Sequence, residues 1–403
     1  MRSPVLSLAA AAALVLGAGA GDAYAAVPPG AWQVLRSVSQ VPAQVDNSTL
    51  ASVSMVSASD GWTVGAFMDP QAVSQPLAEH WNGRAWRITA SPPLPKTDAS
   101  GELSGVDQVS PASAWAVGNA TLASGGQRTL IEHFTGTSWA TIPSPDPFTG
   151  TGADDQLNGI GGTSAHDLWA VGSAFNGSNI ALPLLEHFTG SRWQSVAAPA
   201  VGGFPDLVSV SADSRSDAWA VGTTATPNDT PLAVHWNGHA WDVVNVPCLQ
   251  GATVSAGCTS INVLTGVSAP AASNVWVSGY EEGSGLSFVP YVLHWNGKAW
   301  SLTKTPNLGD VGSSLRGIIA RSPDDVWAVG QTQTDGNSVI ATITEHFDGR
   351  GWSVVPSPDP GLLGNDSLDG VASAAGGQLF AVGADTQSGQ CCLRTLALRH
   401  TTS

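Results

Sequence analysis

The chain has 403 residues, of which 42 % are hydrophobic and 11 % charged, with 46 Gly and 26 Pro. So few charges and so many turn-forming residues argue against long surface helices and against charge-driven disorder, and they favour a β-rich fold with many turns. The net charge of −16 disfavours nucleic-acid binding, because phosphate recognition needs a basic surface.

Residues 1–25 have the pattern of a signal peptide. Arg2 supplies a positive start, an apolar run follows, and Ala23-Tyr24-Ala25 offers a small-x-small cleavage site. The apolar run is shorter than the roughly 20 residues that cross a bilayer, and no later segment approaches that length. We therefore predict an exported protein without a membrane span, in which residues 26–403 form a single domain.

One phrase, Trp-x-Val-Gly or a close variant, recurs along the chain. It begins at Trp62, Trp115, Trp169, Trp219, Trp276, Trp327 and Phe380. Successive phrases are 50 to 57 residues apart. A period of this size holds four short strands with their turns, which is one blade of a β-propeller.

Each repeat divides into four strands. The first carries Leu followed two residues later by Gly or Ser, the second is the Trp phrase, and the third ends in His and an aromatic residue. The fourth starts at a Trp, after an Asn-Gly, Asp-Gly or Thr-Gly turn. Such turns predict tight hairpins in which both central residues have positive φ.

The last repeat lacks its fourth strand, and the missing strand lies at the other end of the chain. Trp32 matches the fourth-strand Trp86, whereas the sequence ends soon after His400. We expect residues 27–38 to complete the last blade, 368–403, which would remove two exposed sheet edges. The sequence thus predicts an all-β fold: a seven-bladed β-propeller of four-stranded antiparallel blades, closed by pairing of the N-terminal strand with the C-terminal blade.

The phrases Asp-x-Trp-Ala-Val-Gly and His-Trp-Asn-Gly-x-x-Trp resemble the Trp-rich repeat of secreted actinobacterial β-propeller proteins. That group lies loosely near the kelch and galactose-oxidase propellers, and the resemblance covers the whole mature chain. It implies the fold and implies no activity, since propellers host many functions. The copper site of galactose oxidase needs a pair of tyrosines, one linked to Cys, and the mature chain has only Tyr280 and Tyr291, in one loop region.

The cysteines of an exported chain are candidates for disulfides. Cys248 and Cys258 bracket one loop and are the favoured pair, whereas Cys391 and Cys392 are adjacent and form a second possible pair.

The repeated His and Trp residues are predicted to be structural. One His per repeat spreads these side chains around a ring, whereas a metal needs three or four ligands within about 2.0–2.3 Å of one point. The Trp side chains recur at fixed positions and are expected to fill the interfaces between blades. We predict no metal and no cofactor.

Two kinds of connection, from second to third strand and from fourth strand to the next repeat, emerge on one side of a propeller, the loop face. Aromatic and acidic side chains gather in these connections, and such a mixture is typical of surfaces that bind sugars or cationic peptides. The candidate ligand-binding residues are Phe67, Phe148, Asp154, Asp155, Phe175, Tyr280, Glu281, Glu282 and Phe288.

The sequence favours a monomeric, non-catalytic binding or interaction module, whose partner is an extracellular glycan or protein. The alternative is a carbohydrate-active enzyme, a glycoside hydrolase or lyase, with a carboxylate pair at the channel mouth. A structural extracellular scaffold is the third possibility. A close carboxylate pair with a raised pKa would favour the enzyme, and an exposed aromatic row would favour a lectin.

Overall fold

The computed structural model describes residues 30–35, 47–149, 152–178, 180–225, 229–249, 258, 260–283, 288–306, 308, 312–333, 339–360, 364–386 and 393–401. These residues form strands and connections, and none of them lies in a helix. Within this part of the chain, no helix is available that could cross a membrane. The predicted signal peptide, together with Cys391 and Cys392, lies outside the described residues.

The strands pair in groups of four, which we number units 1 to 7 in chain order. Unit 1 consists of β2 (Ser48–Ser57), β3 (Asp60–Met68), β4 (Ser74–Trp81) and β5 (Trp86–Ile88). Unit 2 consists of β6 (Asp98–Ser110), β7 (Ser113–Leu122), β8 (Gln127–Phe134) and β9 (Trp139–Ile142). Unit 3 consists of β10 (Asp154–Ser164), β11 (Asp167–Phe175), β12 (Ala181–Phe188) and β13 (Trp193–Ser195).

Units 4 to 6 repeat the same plan. Unit 4 consists of β14 (Phe204–Ser214), β15 (Asp217–Ala225), β16 (Asp229–Trp236) and β17 (Trp241–Val244). Unit 5 consists of β18 (Ile261–Ala271), β19 (Asn274–Glu282), β20 (Phe288–Trp295) and β21 (Trp300–Thr303). Unit 6 consists of β22 (Gly312–Ser322), β23 (Asp325–Gln333), β24 (Ile340–Phe347) and β25 (Trp352–Val354). Unit 7 consists of β26 (Ser367–Ser373), β27 (Leu379–Asp385), β28 (Arg394–His400) and β1 (Trp32–Leu35).

The first described strand of the chain pairs with the last one. In this antiparallel pair Trp32 lies opposite His400 and Leu35 opposite Ala397, and the backbone N–H of Gly30 donates to the carbonyl of Thr401 at 2.9 Å. Unit 7 is therefore assembled from both ends of the sequence.

Two pairs of units share a sheet, which the expectation of separate antiparallel sheets did not include. Single parallel pairs, Asp154 with Gln127 and Phe288 with Gly312, join units 2 and 3 and units 5 and 6 into eight-stranded sheets. The second pair requires glycine at position 312, because a Cβ atom there would lie 2.3 Å from the backbone nitrogen of Phe288. The other three sheets have four strands.

The first strands of the units surround a central channel of about 340 Å³. Each first strand contacts the next one, and β26 contacts β2. Serine side chains bridge these strands: the backbone N–H of Gln108 donates to Ser54 Oγ at 2.9 Å, and that of Ala269 donates to Ser211 Oγ at 3.0 Å. Small hydroxyl side chains thus satisfy backbone groups at the crowded centre of the molecule.

The core lies between neighbouring units and is rich in Trp. Trp169 of unit 3 is fully buried, stacks on His187 at 4.0 Å and meets Trp241 of unit 4 edge-on at 4.9 Å. His187 Nε2 in turn lies 2.8 Å from Asp167 Oδ1. Here the His and Trp of the repeat have the structural roles that the sequence predicts.

The hairpins between third and fourth strands differ from the expected turn. Gly83 has a φ of +87°, but the only described non-glycine residue with a positive φ is Ala72, so Asn82 keeps a negative φ. The Asn82 side-chain oxygen accepts from the backbone N–H groups of Arg84 and Ala85, both at 3.0 Å. Asn is thus favoured here because its side chain caps a four-residue loop, not because it tolerates positive φ.

The favoured disulfide is present. Cys248 is bonded to Cys258, with the two Cα atoms 5.9 Å apart, and Cys248 is fully buried.

Candidate functional site

Every unit has a β-bulge at the same place in its first strand. In unit 1, Leu50 pairs with Gly65 and Ser52 pairs with Val64, which leaves Ala51 as the extra residue. The extra residues of the units are Ala51, Ser104, Asn158, Val208, Thr265, Arg316 and Asp369. Bulges bend a strand and redirect a side chain, and they are frequent beside functional sites.

The Gly that ends the Trp-x-Val-Gly phrase makes room for this bulge. A Cβ atom on that Gly would lie 1.9 to 2.3 Å from a carbonyl oxygen of the first strand in every unit. No real Cβ approaches an oxygen so closely, so a larger residue would push the two strands apart. The repeated Gly is therefore needed for the bulge that turns one residue of each unit towards the channel.

The extra residues all line the channel, whereas the Leu before each one is buried between sheets. They sit in the half of the first strand that follows the connection from the preceding unit, so they surround the channel mouth on the loop face. The positions beside them repeat from unit to unit, but the extra residues differ in size, polarity and charge. A repeated backbone frame that presents different side chains at the channel mouth is an arrangement suited to a binding site.

Two of the extra residues, from adjacent units, form an ion pair. Arg316 Nη1 lies 2.7 Å from Asp369 Oδ1, and Arg316 Nη2 donates to Gln331 Oε1 at 3.3 Å. Ser367 Oγ donates to the other carboxylate oxygen at 3.2 Å. The Arg316 side chain is 44 % exposed and that of Asp369 23 %. A pair this open contributes at most about 1 kcal/mol to stability. Because both side chains are partly exposed, they are accessible to a ligand.

An aromatic pair stands beside the ion pair. Tyr280 and Phe288 meet edge-on with ring centres 5.4 Å apart, at the end of β19 and the start of β20. Together with Arg316 and Gln331 they line a cavity of about 430 Å³, which we call the aromatic cavity, with Val263 among its apolar lining. Burial raises the pKa of Tyr280, so its hydroxyl stays neutral and can donate a hydrogen bond.

A second cavity, the outer cavity, lies on the other side of the ion pair. It has a volume of about 380 Å³. Its aliphatic side chains include Ile340, Ala384 and Leu393, and its polar side chains include Thr49 and the exposed Asn365.

The candidate residues of unit 5 lie at or next to this site. Tyr280 and Phe288 line the aromatic cavity, and Glu282 pairs with Phe288 in the same hairpin. Glu281 points inwards, is 5 % exposed and accepts a hydrogen bond from Ser260. Phe67, in unit 1, packs against the core cluster around Leu50.

The remaining candidates lie around unit 3, in a separate part of the loop face. Phe148 packs on the core, and its backbone N–H donates to Asp155 Oδ2 at 3.0 Å. Burial raises the pKa of Asp155 to about 6. Asp154 is exposed, and Phe175 contacts Phe204, whose exposed fraction is 52 %.

Reasoning from the sequence missed Arg316, Asp369, Gln331 and Asn158. Asn158 is the extra residue of unit 3 and donates to Asp206 Oδ1 at 2.7 Å. A signal for three of the four was present, because each directly follows the repeated Leu of the first strand, at a position whose residue changes from repeat to repeat. Gln331 has no comparable signal.

One carboxyl pair lies beside the outer cavity. Burial and a hydrogen bond to Asp366 raise the pKa of Asp359 to about 7. Asp366 is part of the cavity lining, but its residue as a whole has no exposed surface. Elsewhere in the described ranges, no group of three or more His, Cys, Asp or Glu side chains is arranged to hold a metal ion.

No protein-family model matches the chain, and no curated protein sequence matches it. Several solved structures are similar. YCF48 bound to D1 peptide has a TM-score of 0.55 and 14 % identity, covering 94 % of this chain and 97 % of that one. An ulvan lyase of polysaccharide lyase family PL25, bound to -[GlcA(1-4)Rha3S]-, has a TM-score of 0.53 and 9 % identity, covering 87 % and 94 %.

A protein of unknown function from Dyadobacter fermentans DSM 18053 has a TM-score of 0.50 and 10 % identity, covering 93 % of this chain and 99 % of that one. Identities this low show a shared fold and nothing about the ligand. Repeated four-stranded antiparallel sheets around a central channel are the architecture of a β-propeller, and that is the fold of this chain.

Proposed function

We propose that this protein is an exported, non-catalytic carbohydrate-binding β-propeller that holds its ligand at the channel mouth on the loop face. The observation that carries the proposal is the Arg316–Asp369 pair, accessible at the mouth and flanked by the rings of Tyr280 and Phe288.

Sugars present two kinds of surface, and the site has a counterpart for each. Neighbouring hydroxyl groups both donate and accept hydrogen bonds, which suits a guanidinium donor beside a carboxylate acceptor, with the Gln331 amide able to do both. The C–H face of a pyranose is apolar and packs on aromatic rings. Ligand sites commonly combine apolar walls with a few polar groups in this way.

The whole molecule is proposed to be a closed ring of seven blades within a single domain, residues 26–403. Two observations support the closed ring: β1 pairs with β28, and the first strands contact one another in order until β26 meets β2. Export is supported by the signal-like residues 1–25 and by the Cys248–Cys258 disulfide, since disulfides persist in oxidising compartments.

A carbohydrate-active enzyme is the second candidate, and the Asp359–Asp366 pair is the observation that favours it. A carboxyl group with a pKa near 7 is suited to acid catalysis at neutral pH. Against it, Asp366 is buried, so the pair is better explained as a support for the connection between units 6 and 7. Turnover of a bound glycan that is lost in Asp359→Asn while binding is retained would favour the enzyme.

The test of binding uses the mature protein on a glycan array, followed by titration of the best glycans. We expect at least one glycan to bind and to raise the melting temperature, and Arg316→Ala to weaken binding by about tenfold or more, since a hydrogen bond to a charged group contributes about 1.5–3 kcal/mol. Arg350→Ala is the matched control, because Arg350 is exposed in a hairpin turn of unit 6 and should not affect binding. A flat array, or equal losses in both variants, would contradict the proposal.

A further inference from the structure

We propose that the ligand is a neutral oligosaccharide of at least two sugar units that lies across both cavities, with the Arg316–Asp369 pair at the junction between the units. This inference rests on the proposed function and adds the size and charge of the ligand.

The two cavities adjoin each other, and we call them together the groove. Four residues line both of them: Ala51, Arg316, Gln331 and Asp369. The ion pair therefore lies at the boundary between the two cavities, and groups bound on either side of it would be adjacent.

The volumes suit one small unit on each side. The aromatic cavity has about 430 Å³ and the outer cavity about 380 Å³. Each lies towards the lower end of the roughly 300–1,000 Å³ that small-molecule sites have. A single sugar would fill one cavity and leave the other empty, whereas a disaccharide or longer chain would use both.

The two sides would hold their sugar units by different contacts. Tyr280 and Phe288 offer ring faces and edges in the aromatic cavity. The outer cavity offers the aliphatic side chains of Ile340 and Leu393, with the exposed amide of Asn365 at its rim. We expect stacking in the aromatic cavity and hydrogen bonding to the amide in the outer cavity.

The charges of the groove favour a neutral ligand. The positive charge of Arg316 is compensated by Asp369 at 2.7 Å, so the described residues that line the two cavities leave no unpaired cation for a uronate or sulfate group. The surroundings repel anions further, because Asp229 and Glu282 lie close enough to help raise the pKa of Tyr280. The net charge of −16 acts in the same direction.

The experiment is calorimetric titration of the full chain with neutral gluco-, galacto-, manno- and xylo-oligosaccharides, each as mono-, di- and tetrasaccharide, and with uronate-containing and amino-sugar oligosaccharides for comparison. For the series that binds, we expect affinity to rise by about tenfold or more from the monosaccharide to the disaccharide or tetrasaccharide. Asn365→Ala should remove most of that gain and leave monosaccharide affinity unchanged. Tyr280→Ala should weaken all lengths. Gln71→Ala, an exposed amide in the β3–β4 turn, is the matched control and should change nothing.

The outcomes separate the two proposals. Equal affinity for all lengths, with Asn365→Ala behaving like the unaltered protein, would overturn the two-unit groove and leave the proposed function standing. Tighter binding of an oligosaccharide that contains uronate or amino sugar units would overturn the neutral ligand. Failure of every sugar to bind, in a protein that melts cooperatively, would overturn the proposed function itself.

Discussion

Gly330 lies directly against the first strand of its unit: a Cβ atom on it would be 2.0 Å from the carbonyl oxygen of Ser314. That oxygen is next to the bulge, and the bulge sends Arg316 to the channel mouth. The repeated glycine is thus linked to the variable residue of the site. The same geometry recurs in every unit.

Replacing Gly330 with Ala should therefore destabilise the protein and disturb the site. Forcing a methyl group into this contact should cost about 1–3 kcal/mol in the free energy of unfolding, as overpacking does. Chemical denaturation measures the loss. Gly351→Ala is the control, because no atom lies within 4 Å of the added methyl group, and it should change little. Equal stabilities for the two variants would contradict this explanation of the repeat.

The pairing of the chain ends can be tested at Trp32. Its side chain is 5 % exposed and meets Trp327 edge-on at 6.0 Å and His400 at 5.2 Å. Trp32→Ala should cost about 3–5 kcal/mol, because it empties a large buried volume in the last unit. Val34→Ala, at a side chain 43 % exposed in the same strand, should cost less than about 1 kcal/mol. If both variants unfolded like the unaltered protein, β1 would have no part in the proposed closure of the ring.

Buried glutamates should make the stability depend on pH. Burial raises the pKa of Glu345 and Glu186 to about 8 and that of Glu132 to about 7, from 4.5. The folded state then binds more protons than the unfolded state between these values. Stability should be greatest below pH 4.5 as far as these groups are concerned, and should fall as the pH rises towards 8.

Glu345→Gln isolates one of these contributions. A neutral amide cannot ionise, so the free energy of unfolding of this variant should fall less steeply between pH 5 and 8 than that of the unaltered protein. Denaturant titrations at several pH values measure both slopes. Parallel curves for the two proteins would show that Glu345 does not contribute to the pH dependence.

The disulfide should stabilise the connection between units 4 and 5. Closing so short a loop is worth about 2–3 kcal/mol. Replacing Cys248 and Cys258 together with Ser should lower the unfolding midpoint in non-reducing buffer. Treatment of the unaltered protein with dithiothreitol should give a similar decrease, and dithiothreitol should have no further effect on the variant. A midpoint that neither change lowers would contradict a stabilising role.

The sequence predicts the repeat and its strands well because Trp169, His187 and their counterparts occupy the same environment in each unit. The bulge at Arg316 shifts the alternation by one residue, so that the buried Leu315 and Ile318 lie three residues apart, but this spacing also occurs in helices and turns and does not by itself identify a bulge. Asp155 and Glu281 were assigned to a ligand surface from their place near loops, but both are buried. Tyr280 and Phe288 can be predicted as candidates from the sequence because they are aromatic residues beside carboxylates in a connection of the loop face.

A crystal structure of the full chain with a bound neutral tetrasaccharide tests the central claim most directly. We expect one sugar unit in the aromatic cavity, packed against the rings of Tyr280 and Phe288, the next beside Asn365, and sugar hydroxyls within hydrogen-bond distance of both Arg316 and Asp369. Sugar density elsewhere, for example beside Phe175 and Phe204 or on the hairpin face, with the channel mouth empty, would contradict it.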